Sequence, residues 1–385
     1  MLNTLNDVLN NVDNFIWGMP LIILILFTGI LLTVRLRGLQ IRHLGKALHY
    51  VFHNEDDGEG EVTSFGALCT ALSATIGTGN IVGCATAIVA GGPGALFWMW
   101  LAAFFGMATK YAEGMLAVKY RVIAEDGHTL GGPFYYIEKG MGKNFKWLAK
   151  LFCVFGTMVG LFGIGTFTQV NGITSAVNNF FDPSNVHTIS LFGMNYSISV
   201  VVAGIIVTIC AGLVIIGGIK RISKVSEVIV PFMAVTYIGV CLIIVFTHLP
   251  QVPAAFAEIV QSAFGLKAVA GGAIGAMTVA MQKGIARGIF SNEAGLGSAP
   301  IAAAAAQTNE PVRQGLVSMT GTFIDTIIVC TMTGLAIVMT GAWDMGLEGV
   351  AVTTKAFALG LPFPAKASAF VLMICLVFFA FTTIL

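Results

Sequence analysis

Charge is what this sequence has least of. Charged side chains make up 10% of its 385 residues, against roughly 25% in ordinary soluble domains, and that scarcity excludes a water-soluble globular chain. Paired cysteines are missing too. The seven present (Cys69, Cys84, Cys153, Cys210, Cys241, Cys330 and Cys375) stand singly in apolar segments with no CxxC spacing. That pattern excludes a thiolate metal site and leaves small buried hydrophobes. The six histidines (His43, His49, His53, His128, His187 and His248) fall in loops or at the ends of apolar runs. The apolar interior therefore lacks a His/Asp or His/Glu constellation, and with it the nucleophile–base pair of a membrane-embedded enzyme. No basic region precedes the first apolar run, Phe15–Val34, and no small-residue cleavage site follows it, so that run is a retained helix rather than a signal peptide. A net charge of +1 says nothing about partners, because what matters is where the charges sit; neither a nucleic-acid partner nor an organic cofactor is expected.

What the chain has in abundance is apolar length. Hydrophobic residues make up 56% and fall in runs of about 20, each enough to cross a ~30 Å hydrocarbon core. The fold class is an all-α polytopic membrane protein with the lipid bilayer as its solvent. The first span, roughly 14–34, is followed by Arg35, Arg37, Arg42 and Lys46. The positive-inside rule sets that end in the cytoplasm and the N-terminus outside. The acidic patch Glu55-Asp56-Asp57-Gly58-Glu59-Gly60-Glu61 shares the same segment. A second span (about 64–90) exits at Gly91-Gly92-Pro93-Gly94, and a third (about 95–120) returns. Further spans follow near 147–180, 198–217, 225–246, from 268, 313–341 and from 367, with a surface helix over 254–264.

One stretch resists this pattern. Ser73-Ala74-Thr75-Ile76-Gly77-Thr78-Gly79-Asn80 puts two glycines, three hydroxyls and an amide at the middle of the second span. In hydrocarbon, non-helical backbone survives only beside protein or a water-lined cavity, so the stretch reads as an unwound helix holding a small polar ligand. The competing reading is a close helix contact through Gly79-xxx-Gly83, which leaves Asn80 unexplained. The seventh span is interrupted as well, either at Gly271, Gly272 and Gly275 or in the polar run 284–298. Two broken helices at matching places in oppositely oriented halves point to an inverted-repeat transporter. The expected units are an N-terminal helix with its polar segment over 1–63, a first repeat over 64–250 and a second over 251–385. The chain stops at Thr382-Thr383-Ile384-Leu385 with no closing charge cluster. A terminal carboxylate near mid-membrane is costly, so a truncated product is expected, about nine helices with the last two missing. A transport-inactive chain is the rival to an active one.

Asp325 is a lone carboxylate near the centre of the eighth span. An intramembrane ionisable group is a functional candidate, here as a cation ligand, a proton relay or a cap on freed N–H groups. Lys110 and Glu113, three residues apart, read as an ion pair at a helix end. Glu293 reads as a cap on the turn around Asn292.

The motifs TIGTGNIVG at Thr75–Gly83, GGPGALFWMW at Gly91–Trp100, KYAEG at Lys110–Gly114 and FSNEAGLGSAP at Phe290–Pro300 together resemble the alanine or glycine:cation symporter family. The resemblance spans essentially the whole chain. It implies a leucine-transporter-like five-plus-five inverted repeat with one extra N-terminal helix. It also implies a substrate carboxylate docked at the break over Gly77, Thr78 and Gly79, on the N–H groups of Thr78 and Gly79, where a half-helix presents its positive end. Gln169 would accept from the substrate ammonium, with interhelical glue as its alternative role. Phe167, Ile274 and Met277 would wall the pocket. One sodium site would use Thr75 and Asn80, and a second the carbonyls of Ser73 and Ile76 with the hydroxyls of Thr382 and Thr383. The implied function is sodium-coupled import of alanine or glycine across the plasma (bacterial inner) membrane, with proton coupling as the alternative. Opposed broken helices build an occluded site, whereas a channel needs rings of carbonyls or charges.

Overall fold

The structure, a computed structural model, describes residues 2–16, 18–53, 58–191, 193–266 and 272–385. Glu55, Asp56, Asp57 and Gly271 lie outside the described residues. Helices dominate. The N-terminal part holds α1 (Leu2–Ile16), α2 (Met19–Arg35), α3 (Leu39–Arg42) and α4 (Leu44–Phe52). Next come α5 (Ser64–Thr75), a π-helical turn over Gly79–Gly83, α6 (Cys84–Gly91) and α7 (Gly94–Tyr120). A small hairpin, β1 (Val122–Ile123) with β2 (Thr129–Leu130), precedes α8 (Pro133–Gly140), α9 (Lys146–Phe162) and α10 (Ile164–Phe181). A second hairpin, β3 (Thr188–Leu191) with β4 (Met194–Ser197), leads to α11 (Ile198–Ile215), α12 (Gly218–Thr247) and α13 (Val252–Ala263). The remainder is α14 (Ala273–Asn292), α15 (Ala299–Ala304), α16 (Pro311–Thr322), a π-helical segment Phe323–Cys330, α17 (Thr331–Thr340), α18 (Val350–Gly360) and α19 (Ala365–Ile384).

Among the described residues, five helical stretches are long and apolar enough to cross a membrane: 143–181, 198–215, 218–247, 311–340 and 365–384. The pair α5 and α6, bent by 52°, adds a sixth. The nine-span expectation also counted α2, α7 and α14. α2 is short at 17 residues. α7 and α14 carry Lys110, Glu113, Lys283 and Arg287, so composition alone does not mark them as spans. α7 lies at the centre instead, packed against α2, α14 and α16. Side chains on α11, such as Ile205, Ile209 and Leu213, are more than half exposed, which in water would be untenable and in lipid is the normal outer face.

Several expected boundaries shift for local reasons. The first span begins at Met19 rather than near 14, because Gly18 stands outside the helix and a proline occupies its first turn. The span expected over 147–180 is two helices meeting at Gly163, whose φ of +58° is left-handed, a conformation that glycine adopts without steric cost. α12 starts at Gly218, earlier than expected. Among the described residues the seventh span is continuous from Ala273 to Asn292, through Gly275, and breaks off in the polar run.

The core surrounds the first interruption. Ile76 and Ile81 are fully buried together with Tyr237 of α12, Phe357 of α18 and Phe379 of α19. Tyr237 and Thr333 share a hydroxyl hydrogen bond of 2.7 Å, which keeps the phenol satisfied in the apolar interior. At the opposite end of α5, residues 59–62 run beside 305–308. Glu61 N–H and Val62 N–H donate to the Ala305 carbonyl, Gln307 N–H to that of Val62 and Thr308 N–H to that of Glu59. Arg121 crosses this tie, donating to the carbonyls of Ala304, Ala306, Glu59 and Thr308 at 2.6–2.9 Å. Replacing it by Ala is expected to cost about 2 kcal/mol, since hydrogen bonds from a charged donor contribute about that much. Lys is not expected to rescue, because one ammonium cannot span a fork's set of acceptors. Thermal unfolding of the detergent-purified variants checks this, and a midpoint unchanged in R121A would refute the tie.

Candidate functional site

The first interruption begins one residue after α5. Ile76 N–H still bonds the Leu72 carbonyl at 2.7 Å, but at ψ 88° Ile76 has left the helix. The next two N–H groups find side chains instead of helix carbonyls. Gly77 N–H donates to Asn80 Oδ1 at 2.9 Å and Thr78 N–H to Gln169 Oε1 at 3.1 Å. The sequence favours this, because glycine and threonine are poor helix formers and an asparagine side chain competes for nearby backbone. The carbonyls of the last turn of α5 are thereby released. The methyl of Thr78 packs against Gly172 of α10, where a Cβ would lie 2.6 Å from it. Gly77 is hemmed in more tightly. A Cβ there would meet Thr383 Oγ1 at 2.5 Å and the Gln169 amide at 3.1–3.2 Å.

Asn80 links this break to a second polar cluster. Its Nδ2 donates to Asp325 Oδ1 at 2.7 Å and approaches the Asp325 carbonyl at 3.1 Å and Ser291 Oγ at 3.2 Å. Its orientation is dictated from both sides, since Gly77 N–H needs an acceptor and the Asp325 carboxylate needs a donor. Asp325 Oδ2 accepts the hydroxyls of Ser291 at 2.9 Å and Thr326 at 2.6 Å, and Asn292 Nδ2 donates to Thr326 Oγ1 at 3.0 Å. Asn80, Asp325 and Thr326 have no exposed surface, and Ser291 and Asn292 have almost none. The thiol of Cys330 lies 3.4 Å from Asn80 Nδ2. Asp325 and Thr326 reach this point from the π-helical segment, whose wider turns commonly mark functional sites in long helices. The Asp325 carboxylate and backbone carbonyl with the hydroxyls of Ser291 and Thr326 form a hard oxygen donor set of the kind that suits an alkali cation.

Ser291 and Asn292 belong to the last turn of α14, which ends at a second interruption. Glu293, Gly295 and Gly297 take left-handed φ values of +54°, +90° and +82°. Ala294 N–H is held by Asn292 Oδ1 at 3.0 Å, and the Ser298 hydroxyl bonds the Glu293 carboxylate. Glu293 is thus used within its own turn, and α15 resumes at Ala299. A cavity of about 420 Å³ runs between α5 and α15, lined among others by Glu61, Ser73, Ala74, Glu293, Ser298 and Thr383.

The structure brings together Gly77, Thr78, Gly79, Asn80, Gln169, Thr383 and Asp325. Ser73 and Thr383 share the 420 Å³ cavity, although the Ser73 hydroxyl itself bonds the Thr70 carbonyl at 2.7 Å. Other expected residues land elsewhere. Phe167 is 73% exposed and Ile274 is 76% exposed. Met277 is half-buried near the start of α14, and Ser291 lies about 25 Å beyond Ile274 at about 1.5 Å per residue. No pocket wall forms from these three. The Thr75 hydroxyl turns back to the Ala71 and Leu72 carbonyls, and Thr75 lines a separate small cavity with Lys110. Thr382 points at Met233 Sδ, 3.5 Å away, and bonds carbonyls of its own helix. Asn80 Oδ1 accepts Gly77 N–H in this state, which takes one of its two lone pairs. Ser291, Thr326, Asn292 and Cys330 were missed. The signal for the first three was two adjacent polar pairs, Ser291-Asn292 and Asp325-Thr326.

A model of the sodium:alanine symporter family matches residues 2–385. An uncharacterized transporter of Haemophilus influenzae is 57% identical over 99% of this chain and 80% of its own length. Sodium/alanine symporter AgcS of Methanococcus maripaludis is 46% identical over 98% of this chain and 80% of its own. Probable sodium/glutamine symporter GlnT of Bacillus subtilis is 39% identical over 98% and 74%. The family match runs on to residue 385, so the expected truncation is not borne out by it.

Proposed function

Because this chain belongs to the sodium:alanine symporter family, a family of transporters and not of enzymes, we propose that it imports a small neutral amino acid, alanine or glycine, with sodium by alternating access. The observation that carries the reading is the break at 76–78. It turns two backbone N–H groups toward Gln169 and Asn80 and joins, through Asn80, a buried carboxylate cluster. The relatives' names include both alanine and glutamine, so the choice of a small side chain rests on the crowding at Gly77.

In this reading the Gln169 amide acts as a placeholder. Its Oε1 now accepts Thr78 N–H. A substrate carboxylate takes that N–H together with the N–H of Gly79, aided by the positive end of the half-helix. The freed Gln169 oxygen then accepts from the substrate ammonium. Sodium is held by Asp325 with the hydroxyls of Ser291 and Thr326, adjacent to the substrate through Asn80. A second sodium takes the released carbonyls of Ser73 and Ile76 beside Thr383. The paired interruptions at 76–78 and 293–298 support a five-plus-five inverted repeat with one extra N-terminal helix, the first repeat over 64–250 and the second over 251–385. The basic residues flanking α2 and α7 support an N-terminus outside the bacterial inner membrane and the 59–62 tie on the cytoplasmic side.

Labelled alanine and glycine offered to proteoliposomes under an imposed sodium or proton gradient test the proposal. Uptake driven by the sodium gradient is expected. Uptake driven by protons and indifferent to sodium would replace the coupling ion, and no uptake of either amino acid would overturn the reading. Gln169→Leu is expected to raise the KM for alanine about 10–100-fold, the equivalent of one hydrogen bond to a charged partner. A KM unchanged in Q169L would return Gln169 to a purely interhelical role.

A further inference from the structure

A buried ammonium and a buried carboxylate on α7 have no part in the mechanism above. Lys110 and Glu113 are 3% and 8% exposed, inside a 27-residue helix, where unpaired charges are costly. The spacing that suggested an ion pair puts them on one face, yet among the described residues no ion pair joins them. Both reach across to the second interruption. Lys110 Nζ donates to the Glu293 carbonyl at 3.4 Å. Glu113 Oε1 accepts Gly297 N–H at 3.2 Å, and the N–H of Gly295 faces the same carboxylate. The other side of the turn is boxed in by Pro133 and Phe152, each 2.9 Å from where a Gly297 Cβ would stand.

The gripped backbone is one that does not hold itself. Three of its residues are left-handed, Glu293 among them, and a non-glycine residue in that conformation persists only where its surroundings over-determine it. An ammonium on a carbonyl that ends one helix, with a carboxylate on the N–H groups just beyond, supplies both polarities that the open turn needs. The turn starts two residues after Ser291, whose hydroxyl bonds Asp325. Any slack at 293–297 therefore moves Ser291 and Asn292 relative to Asn80 and Asp325.

We infer that Lys110 and Glu113 are positioning residues that clamp the second interruption and thereby set the affinity of the Asp325 cluster for its cation without touching it. This rests on the reading of that cluster as the sodium site, so the test has one readout that depends on transport and one that does not. The variants are Glu113→Ala, Glu113→Gln, Lys110→Met and Lys110→Arg in the full chain. In proteoliposomes, E113A and K110M are expected to raise the sodium concentration for half-maximal uptake about 10–100-fold, the range for residues that orient a metal's ligands. Maximal rate at saturating sodium should change far less. E113Q keeps an acceptor for Gly297 N–H and K110R keeps a cationic donor, and both are expected to stay near the parent. Hydrogen exchange of the peptide covering 290–300 should accelerate in E113A and K110M and not in E113Q. Unchanged sodium dependence in E113A, or E113Q as impaired as E113A, would overturn the clamp. A parent chain with no sodium-dependent uptake would fail the sodium reading, while the exchange measurement would still decide whether the clamp exists. Should E113A not be recovered folded, K110M against K110R gives the same comparison.

Discussion

Asp325→Ala is expected to abolish sodium-dependent uptake while the protein remains foldable. The carboxylate has no exposed surface and accepts from Asn80, Ser291 and Thr326. Removing it takes the acceptor from the buried Ser291 and Thr326 hydroxyls, at about 1–3 kcal/mol each where no water substitutes, while Asn80 Nδ2 keeps the backbone carbonyl of residue 325. It also deletes the one formal negative charge of the proposed cation site. Loss of about 3 kcal/mol of ion interaction corresponds to about 100-fold in affinity, beyond what raised sodium would restore in an uptake assay. Asp325→Asn separates the two contributions. The amide keeps an oxygen for one of the donors and loses the charge, so folding should recover more than sodium dependence does. Thermal unfolding and uptake as a function of sodium distinguish these outcomes. Parent-like sodium dependence in D325N would exclude Asp325 as the coupling residue and leave it as a cap on Asn80.

The second large effect concerns a single methyl group. Gly77→Ala is expected to reduce alanine uptake about 10–100-fold, whereas Gly79→Ala stays close to the parent. Neither glycine has a positive φ, so the backbone tolerates alanine at both and the comparison isolates space. At Gly77 the added carbon would lie 2.5 Å from Thr383 Oγ1 and 3.1 Å from Gln169 Oε1. Overpacking of that sort costs about 1–3 kcal/mol, and it falls where the substrate's carboxylate and α-carbon are proposed to lie. At Gly79 the nearest atoms would be Ser291 Cα at 3.6 Å and Phe290 Cδ1 at 3.9 Å, ordinary contacts, and the N–H group remains. Alanine KM and the alanine-induced shift in thermal midpoint are the measurements. Equal behaviour of G77A and G79A would mean that the ligand does not sit against Gly77.

Both experiments address residues that the sequence marks unequally. The break was legible because low helix propensity and polar groups in an apolar run are local properties. Gly77, Thr78 and Asn80 announce themselves within eight residues. Asp325 was legible as a charge in hydrocarbon, and its partners were not. The second interruption was visible only as two alternatives. Among the described residues the structure shows the later one, where the backbone of Glu293, Gly295 and Gly297 finds side-chain partners on α7, while Gly275 lies within α14. Phe167, Ile274 and Met277 show the opposite failure: apolar residues in an apolar helix carry no local sign of which neighbour they face.

The sequence by itself determined the class of molecule, the long apolar helices, the place of the first break and the family likeness carried by its motifs. Each of these follows from composition or from short-range backbone preference, which acts over a turn or two of chain. Only the tertiary structure decided which atoms meet. Asn80 reaches Asp325 across 245 positions of sequence, and Lys110 reaches Glu293 across 183. Those meetings depend on how α5, α7, α14 and the π-helical segment pack, and on how far each helix is rotated about its own axis. Hydropathy is nearly uniform around such helices and does not encode that rotation. The polar groups do, because in a medium without water each donor must end at an acceptor.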